Sequence, residues 1–103
     1  MSYNVVITQD AQDEVRGIFE YIAFNLLVPD TAKKQTRRII DAIHSLSEFP
    51  ERNAVYEMEP WKSRGLRKLI IDNYIAFYII NENQKEVVVL HVFYGGRDIG
   101  KLL

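Results

Sequence analysis

Four bases, Lys62, Arg64, Arg67 and Lys68, fall within seven residues with no acid among them, and Trp61 adjoins the run. Cations beside an indole suit contact with a phosphate backbone or an acidic peptide, because the charges attract and the ring offers a stacking face. Arg97 and Lys101 carry the basic set into the tail. Any catalysis in this chain would have to rest on Arg, Lys and Tyr.

The other reactive types offer less. There is no cysteine, which excludes a disulfide scaffold, a thiolate nucleophile and a cysteine zinc site. Only His44 and His91 are present, so neither a histidine metal site nor a cofactor is expected. Alternation puts His91 on one strand face with Val87, Val89 and Phe93, where a packed, hydrogen-bonded imidazole is the expectation. Tyr74 and Tyr78 share a strand face and read as core, with base stacking the alternative. The sequence holds no G-x-S-x-G, no P-loop and no G-x-G-x-x-G, and Gly95-Gly96 is too short to cradle a phosphate.

These residues need elements to hold them. Tyr3–Thr8, with Val5, Val6 and Ile7, suits a strand. From Asp10 the period becomes helical, with Ala11, Val15, Ile18, Ile22 and Leu26 in one stripe, and Pro29 ends the helix. Asp30 caps a second helix, whose buried face is Ala32, Thr36, Ile39, Ile43 and Leu46 and which Pro50 closes. Val55–Met58 reads as a weak strand, and Leu66–Ile71, Tyr74–Ile80 and Glu86–Tyr94 as strong ones. Asp72-Asn73 forms a two-residue hairpin turn, and residues 81–84 a polar loop. The strand Tyr74–Ile80 has no charge on either face, so it belongs at the centre of the sheet.

With 103 residues and 48% hydrophobic content, one domain spanning residues 1–103 is expected, built as an α+β sandwich. A formal net charge of −1 announces no global attraction to nucleic acid. The charges are nonetheless segregated: Asp10, Asp13, Glu14, Glu20 and Asp30 face only Arg16 in the first 30 residues. Lys33, Lys34, Arg37 and Arg38 form an arc on the second helix, expected to be a solvated face. The apolar runs fall short of the roughly 20 residues of a spanning helix, and Met1-Ser2-Tyr3-Asn4 lacks a secretory n-region. A cytoplasmic protein is the expectation.

Gly65-Leu66-Arg67-Lys68-Leu69, then Asn73-Tyr74-Ile75-Ala76-Phe77-Tyr78, then Val87-Val88-Val89-Leu90-His91-Val92-Phe93-Tyr94-Gly95-Gly96-Arg97-Asp98 resemble the closing strands of the RelE/ParE toxin superfamily. The first half is similar as well: a first strand, Thr8-x-x-Ala11, Ile18-x-x-Tyr21-Ile22, and Ile43-x-x-Leu46-x-x-x-Pro50. The resemblance implies an α+β fold of an N-terminal strand, an antiparallel helix hairpin and a three- to four-stranded antiparallel sheet. It also implies the toxin of a bacterial type II toxin–antitoxin pair, of the kind associated with plasmid stabilisation, neutralised by a cognate antitoxin encoded beside it. Assembly would be as a homodimer or a toxin–antitoxin hetero-oligomer.

Two activities divide that superfamily. RelE-like members are metal-free mRNA endonucleases acting on the ribosome, and ParE-like members inhibit DNA gyrase. Lys68 and Arg97 match cationic positions of the nucleases and become the catalytic pair on that reading. Two further positions depart: the arginine after the strand tyrosine is Ile75 here, and the terminal tyrosine falls at Leu103. The resemblance is closer to ParE. It makes Lys62, Arg64, Arg67, Lys68, Tyr94 and Arg97 target-binding residues, aided by Ile99–Leu103.

Overall fold

The computed structural model describes residues 2–96 and 99–103. A strand β1 (Asn4–Ile7) leads into helix α1 (Gln9–Glu20), and a wider π-helical turn (Tyr21–Asn25) precedes helix α2 (Pro29–His44). Two short 3₁₀ turns (Ser45–Ser47, Pro50–Arg52) follow, then β2 (Arg67–Ile71), β3 (Tyr74–Asn81), β4 (Glu86–Tyr94) and a terminal helix α3 (Ile99–Leu102). The four strands form one sheet in the order β1-β4-β3-β2.

Helix α1 starts where Thr8 stops being strand: its Oγ1 accepts from Ala11 N at 3.2 Å, satisfying one orphan donor of the first turn. Its end differs from expectation. Pro29 does not terminate it but occupies the first turn of α2, where its missing N–H costs nothing. The stop is made upstream by Leu27, which turns left-handed at φ 59°, while Val28 N reaches back to Ile22 O at 3.2 Å. The residue flanking α2 is Val28, with no side-chain cap, so Asp30 sits inside the first turn instead of capping it.

The buried stripe of α2 follows the spacing except at Thr36, which is half-buried and donates its hydroxyl to Ala32 O; Ala32, Ile39, Ile43 and, one turn on, Leu46 are fully buried. With Ala11 and Val15 they meet Leu69, Ile71, Ala76, Tyr78, Val87, Val89 and Val92 from one face of the sheet. Each such aliphatic side chain contributes about 1.5–3 kcal/mol on leaving water. Tyr78 is fully buried; its hydroxyl donates to Pro50 O and accepts from Asn53 Nδ2 at 3.1 Å. Tyr74 and Tyr78 therefore belong to packing and not to a stacking platform.

β3 is internal, as its uncharged sequence requires, and the sheet face away from α1 and α2 is covered too. There Leu66, Phe77 and Phe93 are buried under Tyr56, Trp61 and the terminal Ile99, Leu102 and Leu103. Val55–Met58 is not a strand: it contributes one bridge, Val55 to Arg67, and one further backbone bond, Tyr56 N to Leu66 O at 2.7 Å. The sheet is also mixed, not wholly antiparallel. β1 runs parallel to β4, Asn4–Ile7 opposite Glu86–Val89.

Beyond Ile7 the outer edge of β4 would be bare, and α1 closes it. Thr8 N donates to Val89 O at 3.1 Å, Thr8 Oγ1 to Leu90 O at 3.0 Å, and Val92 N to Glu14 Oε1 at 2.9 Å. The same Glu14 carboxylate lies 3.1 Å from His91 Nδ1. A bulge at Leu90 explains the facing of His91: Phe77 pairs with His91 but Tyr78 with Val89. The extra residue keeps Val87, Val89 and Val92 on the helix side and moves His91 to the other side, stacked on Phe93 at 4.9 Å. The imidazole is packed and hydrogen-bonded as expected, on a different face from Val87 and Val89.

Candidate functional site

The basic run divides among four different tasks. Residues 57–65 fold over the sheet face away from the helices, pinned by Trp61 and by Glu59, whose carboxylate accepts from Ser63 N and Oγ. Gly65 turns the chain into β2 at φ 74°, a conformation open to glycine. Lys62 is exposed and pairs with Glu57 at 3.3 Å. The Arg64 guanidinium lies 5.3 Å above the Trp61 ring. Arg67 Nη1 donates to Glu51 O at 3.1 Å and Asn53 O at 2.6 Å, tying the preceding loop to β2.

Lys68 points to the opposite face from Arg67, beside its cross-strand partner Phe77, and makes no ion pair among the described residues. Along that same face Ile75 and Leu103 pack against Phe77 and Phe93. The two positions that would carry an arginine and a tyrosine in a nuclease therefore join an apolar layer. Arg97 lies outside the described residues, as does the Lys101 side chain. Tyr94 is separated from the basic run altogether: it stands opposite Tyr74 on the helix side, the rings edge to face at 6.0 Å.

Tyr94 opens onto a second feature that sequence spacing did not single out. A groove of about 690 Å³ runs between α1 with its π-helical turn and the ends of β3 and β4, lined by Gly17, Tyr21, Ile22, Leu26, Tyr74 and Tyr94 among others. Its mouth is apolar and exposed: Tyr21, Leu26 and Tyr94 each show more than half their surface, and Phe24 and Leu27 continue the patch. Burial, with Tyr94 and Tyr21 nearby, pushes the Tyr74 phenol above its ordinary pKa. The signal was available. Residues 21–28 hold seven apolar side chains in eight, more than one helix face can bury.

The second helix offers only a weak site. Lys33, Lys34 and Arg37 are exposed around a shallow depression on α2, whereas Arg38 is engaged by Asp72 at 2.8 Å. Among the described residues no three acidic, histidine or cysteine side chains gather to hold a metal, and no helix is long and apolar enough to cross a membrane.

Comparisons with known proteins bear on this arrangement. A family model described as the ParE toxin of the type II toxin–antitoxin system parDE matches residues 5–99. Among solved structures, a chain from the chromosomal ParDE system of P. aeruginosa aligns with a TM-score of 0.74 at 20% identity, over 90% of this chain and 96% of that one. An archaeal RelE–RelB complex from Pyrococcus horikoshii gives 0.62 at 21% identity, over 94% and 99%. A double mutant of E. coli toxin RelE in the free state gives 0.63 at 16% identity, over the full length of both chains. At these identities the likeness is one of fold. No curated protein sequence matches the chain.

Proposed function

Because the chain belongs to the ParE toxin family of type II toxin–antitoxin systems, we propose that it is a toxin that arrests growth by binding DNA gyrase and that its cognate antitoxin neutralises it. It acts in the cytoplasm as one domain. The observation that carries the choice of target is the apolar layer of Ile75, Phe77, Phe93 and Leu103 on the sheet face away from the helices. Phosphodiester cleavage needs cations and a proton-transfer group aimed at one point, and this layer supplies only packing there. Target contact then falls to the exposed Lys62 and Arg64 and the half-buried Lys68, with Arg97 and the tail as further contacts. Arg67 supports the strand that carries Lys68.

Lys68, without an ion pair among the described residues, is the feature that favours the enzymatic alternative, a ribosome-dependent mRNA endonuclease using Lys68 and Arg97. Inducible expression in a bacterial host separates the two readings when mRNA 5′ ends and a DNA-damage reporter are followed together. A damage response with intact mRNA is expected. New 5′ ends inside translated codons without damage would transfer the assignment to the nuclease.

A further inference from the structure

The exposed side of the helix pair holds cations that the 62–68 run does not include. Arg16 on α1 and Lys33, Lys34 and Arg37 on α2 are all exposed, and none makes an ion pair among the described residues. Two shallow depressions lie between them. One of about 380 Å³ reaches Arg16, one of about 630 Å³ is bordered by the three α2 cations, and they meet at Thr36 and Ile40. Asp41 is the single acid at either border, so positive charge prevails along the strip. Lys33 and Arg37 stand one helical turn apart, about 6 Å along the axis, and Arg16 stands on the neighbouring helix. A duplex nucleic acid, with one charge per about 1.7 Å of its length, offers a phosphate within reach of each.

The chemistry of the strip narrows the occupant. Protein interfaces are anchored at their centre by apolar or aromatic side chains, and none of the exposed large apolar residues borders these depressions. Both walls are helices, which offer no free ladder groups to an extended acidic peptide. The bordering aromatic ring, Phe19, is half-buried and meets Phe24 edge to face at 6.4 Å, so unpaired bases find no stacking surface. Contact by charge with the backbone of a duplex is the mode that remains. The shallowness is no obstacle, because a polyanion is held by spread charge and not by enclosure.

Resting on the gyrase reading above, we propose that Arg16, Lys33, Lys34 and Arg37 form a duplex-DNA contact and grip the phosphate backbone of the DNA that the target enzyme holds. Lys68 lies on the sheet face away from α1 and α2, so the enzyme and its DNA are met from opposite sides of the molecule. The DNA then adds to the affinity for the enzyme.

The test follows binding of the full chain to a fluorescent DNA duplex by anisotropy, and to purified gyrase with and without that duplex. Four phosphate contacts should make duplex affinity fall about 100-fold between 50 and 200 mM salt. The triple variant Lys33→Gln, Lys34→Gln, Arg37→Gln keeps only Arg16 and should lose about 4-fold over the same range. Glutamine has nearly the helix propensity of the residues it replaces, so the Tm should stay within about 2 °C. Arg38→Gln is the charge control: Arg38 adjoins Arg37 in sequence but is bound to Asp72, so the salt dependence should match the parent. Added duplex should tighten gyrase binding about 10-fold for the parent and leave the triple variant unchanged. Equal salt sensitivity in the parent and the triple variant would overturn the proposal, and so would an equal effect of Arg38→Gln. Displacement of the duplex by poly-glutamate at equal charge, or a preference for single-stranded RNA, would assign the strip to another partner and overturn it too. A parent that binds gyrase equally with and without the duplex leaves the gyrase reading standing and removes the DNA contact. A parent that binds gyrase in neither state fails that reading itself, and this control is read first.

Discussion

Arg67 carries a full charge in the middle of the basic run, yet two backbone carbonyls occupy its guanidinium. Hydrogen bonds from a charged donor contribute about 1.5–3 kcal/mol each way of counting, and the carbonyls of Glu51 and Asn53 lose their partner when it goes. Arg67→Met should therefore destabilise the fold by about 2 kcal/mol in urea titration. Lys68→Ala should leave the urea midpoint unchanged and reduce growth arrest. Equal stability loss in the two variants would return Arg67 to the surface set. Asp72, at the β2–β3 turn, accepts from Arg38 and Gln35, and these bonds hold its carboxyl at a pKa of about 2. A folded value below that of an unfolded aspartate means the stabilisation is complete above about pH 5 and is lost as pH falls toward 2. The Tm gap between the parent and Asp72→Asn should narrow steadily between about pH 5 and about pH 2.5. Asparagine tolerates the left-handed φ of 55° at this turn, so the comparison isolates the charge.

Among the elements, β4 shows what local patterning conveys and what it cannot. Its span, its partner β3 and the two-residue turn at Asp72-Asn73 follow from β-branched runs and turn chemistry, and all are found. The bulge at Leu90 is invisible to alternation, because one extra residue leaves composition unchanged while reversing every later side chain. The parallel pairing of β1 is equally hidden: its partner lies at the far end of the sequence, with no turn to announce it. The same holds for the site. The cations of residues 62–68 stand out as a run, but which of them is already engaged depends on the loop carbonyls that Arg67 meets. The groove needs three distant segments at once, although the apolar surplus of residues 21–28 marks one wall of it. Thr8 illustrates how the pieces join, since one hydroxyl caps α1 and closes the edge of β4. Thr8→Ala should lower stability by about 1–2 kcal/mol. Faster amide exchange at Ala11 should accompany it, and unchanged exchange there would deny the cap.

At the scale of the whole molecule, the near-zero net charge conceals two sides of opposite character. Acids outnumber the single Arg16 along α1, cations gather on the 62–68 turn and at Lys68 on the other sheet face, and the exposed apolar side chains are densest at Tyr21, Phe24, Leu26 and Leu27. Mutations at Glu20 and Lys68 should add independently, because among the described residues neither side chain takes part in an ion pair. Combining Glu20→Lys with Lys68→Ala should change folding stability by the sum of the two single variants. A deviation of more than about 0.5 kcal/mol would mean that the two sides communicate through the sheet.

The pairing of Asn4 with Glu86 also fixes when this protein can become itself. During synthesis at about 5–20 residues per second, the first strand waits about 4–16 s for the last one to emerge. Until then α1 and α2 have no finished sheet to cover. Chains stalled on the ribosome before residue 86 should remain open to protease, and released chains should resist it. The cell therefore meets the folded protein only after β4 has left the ribosome, with an interval in which a neutraliser can already be present.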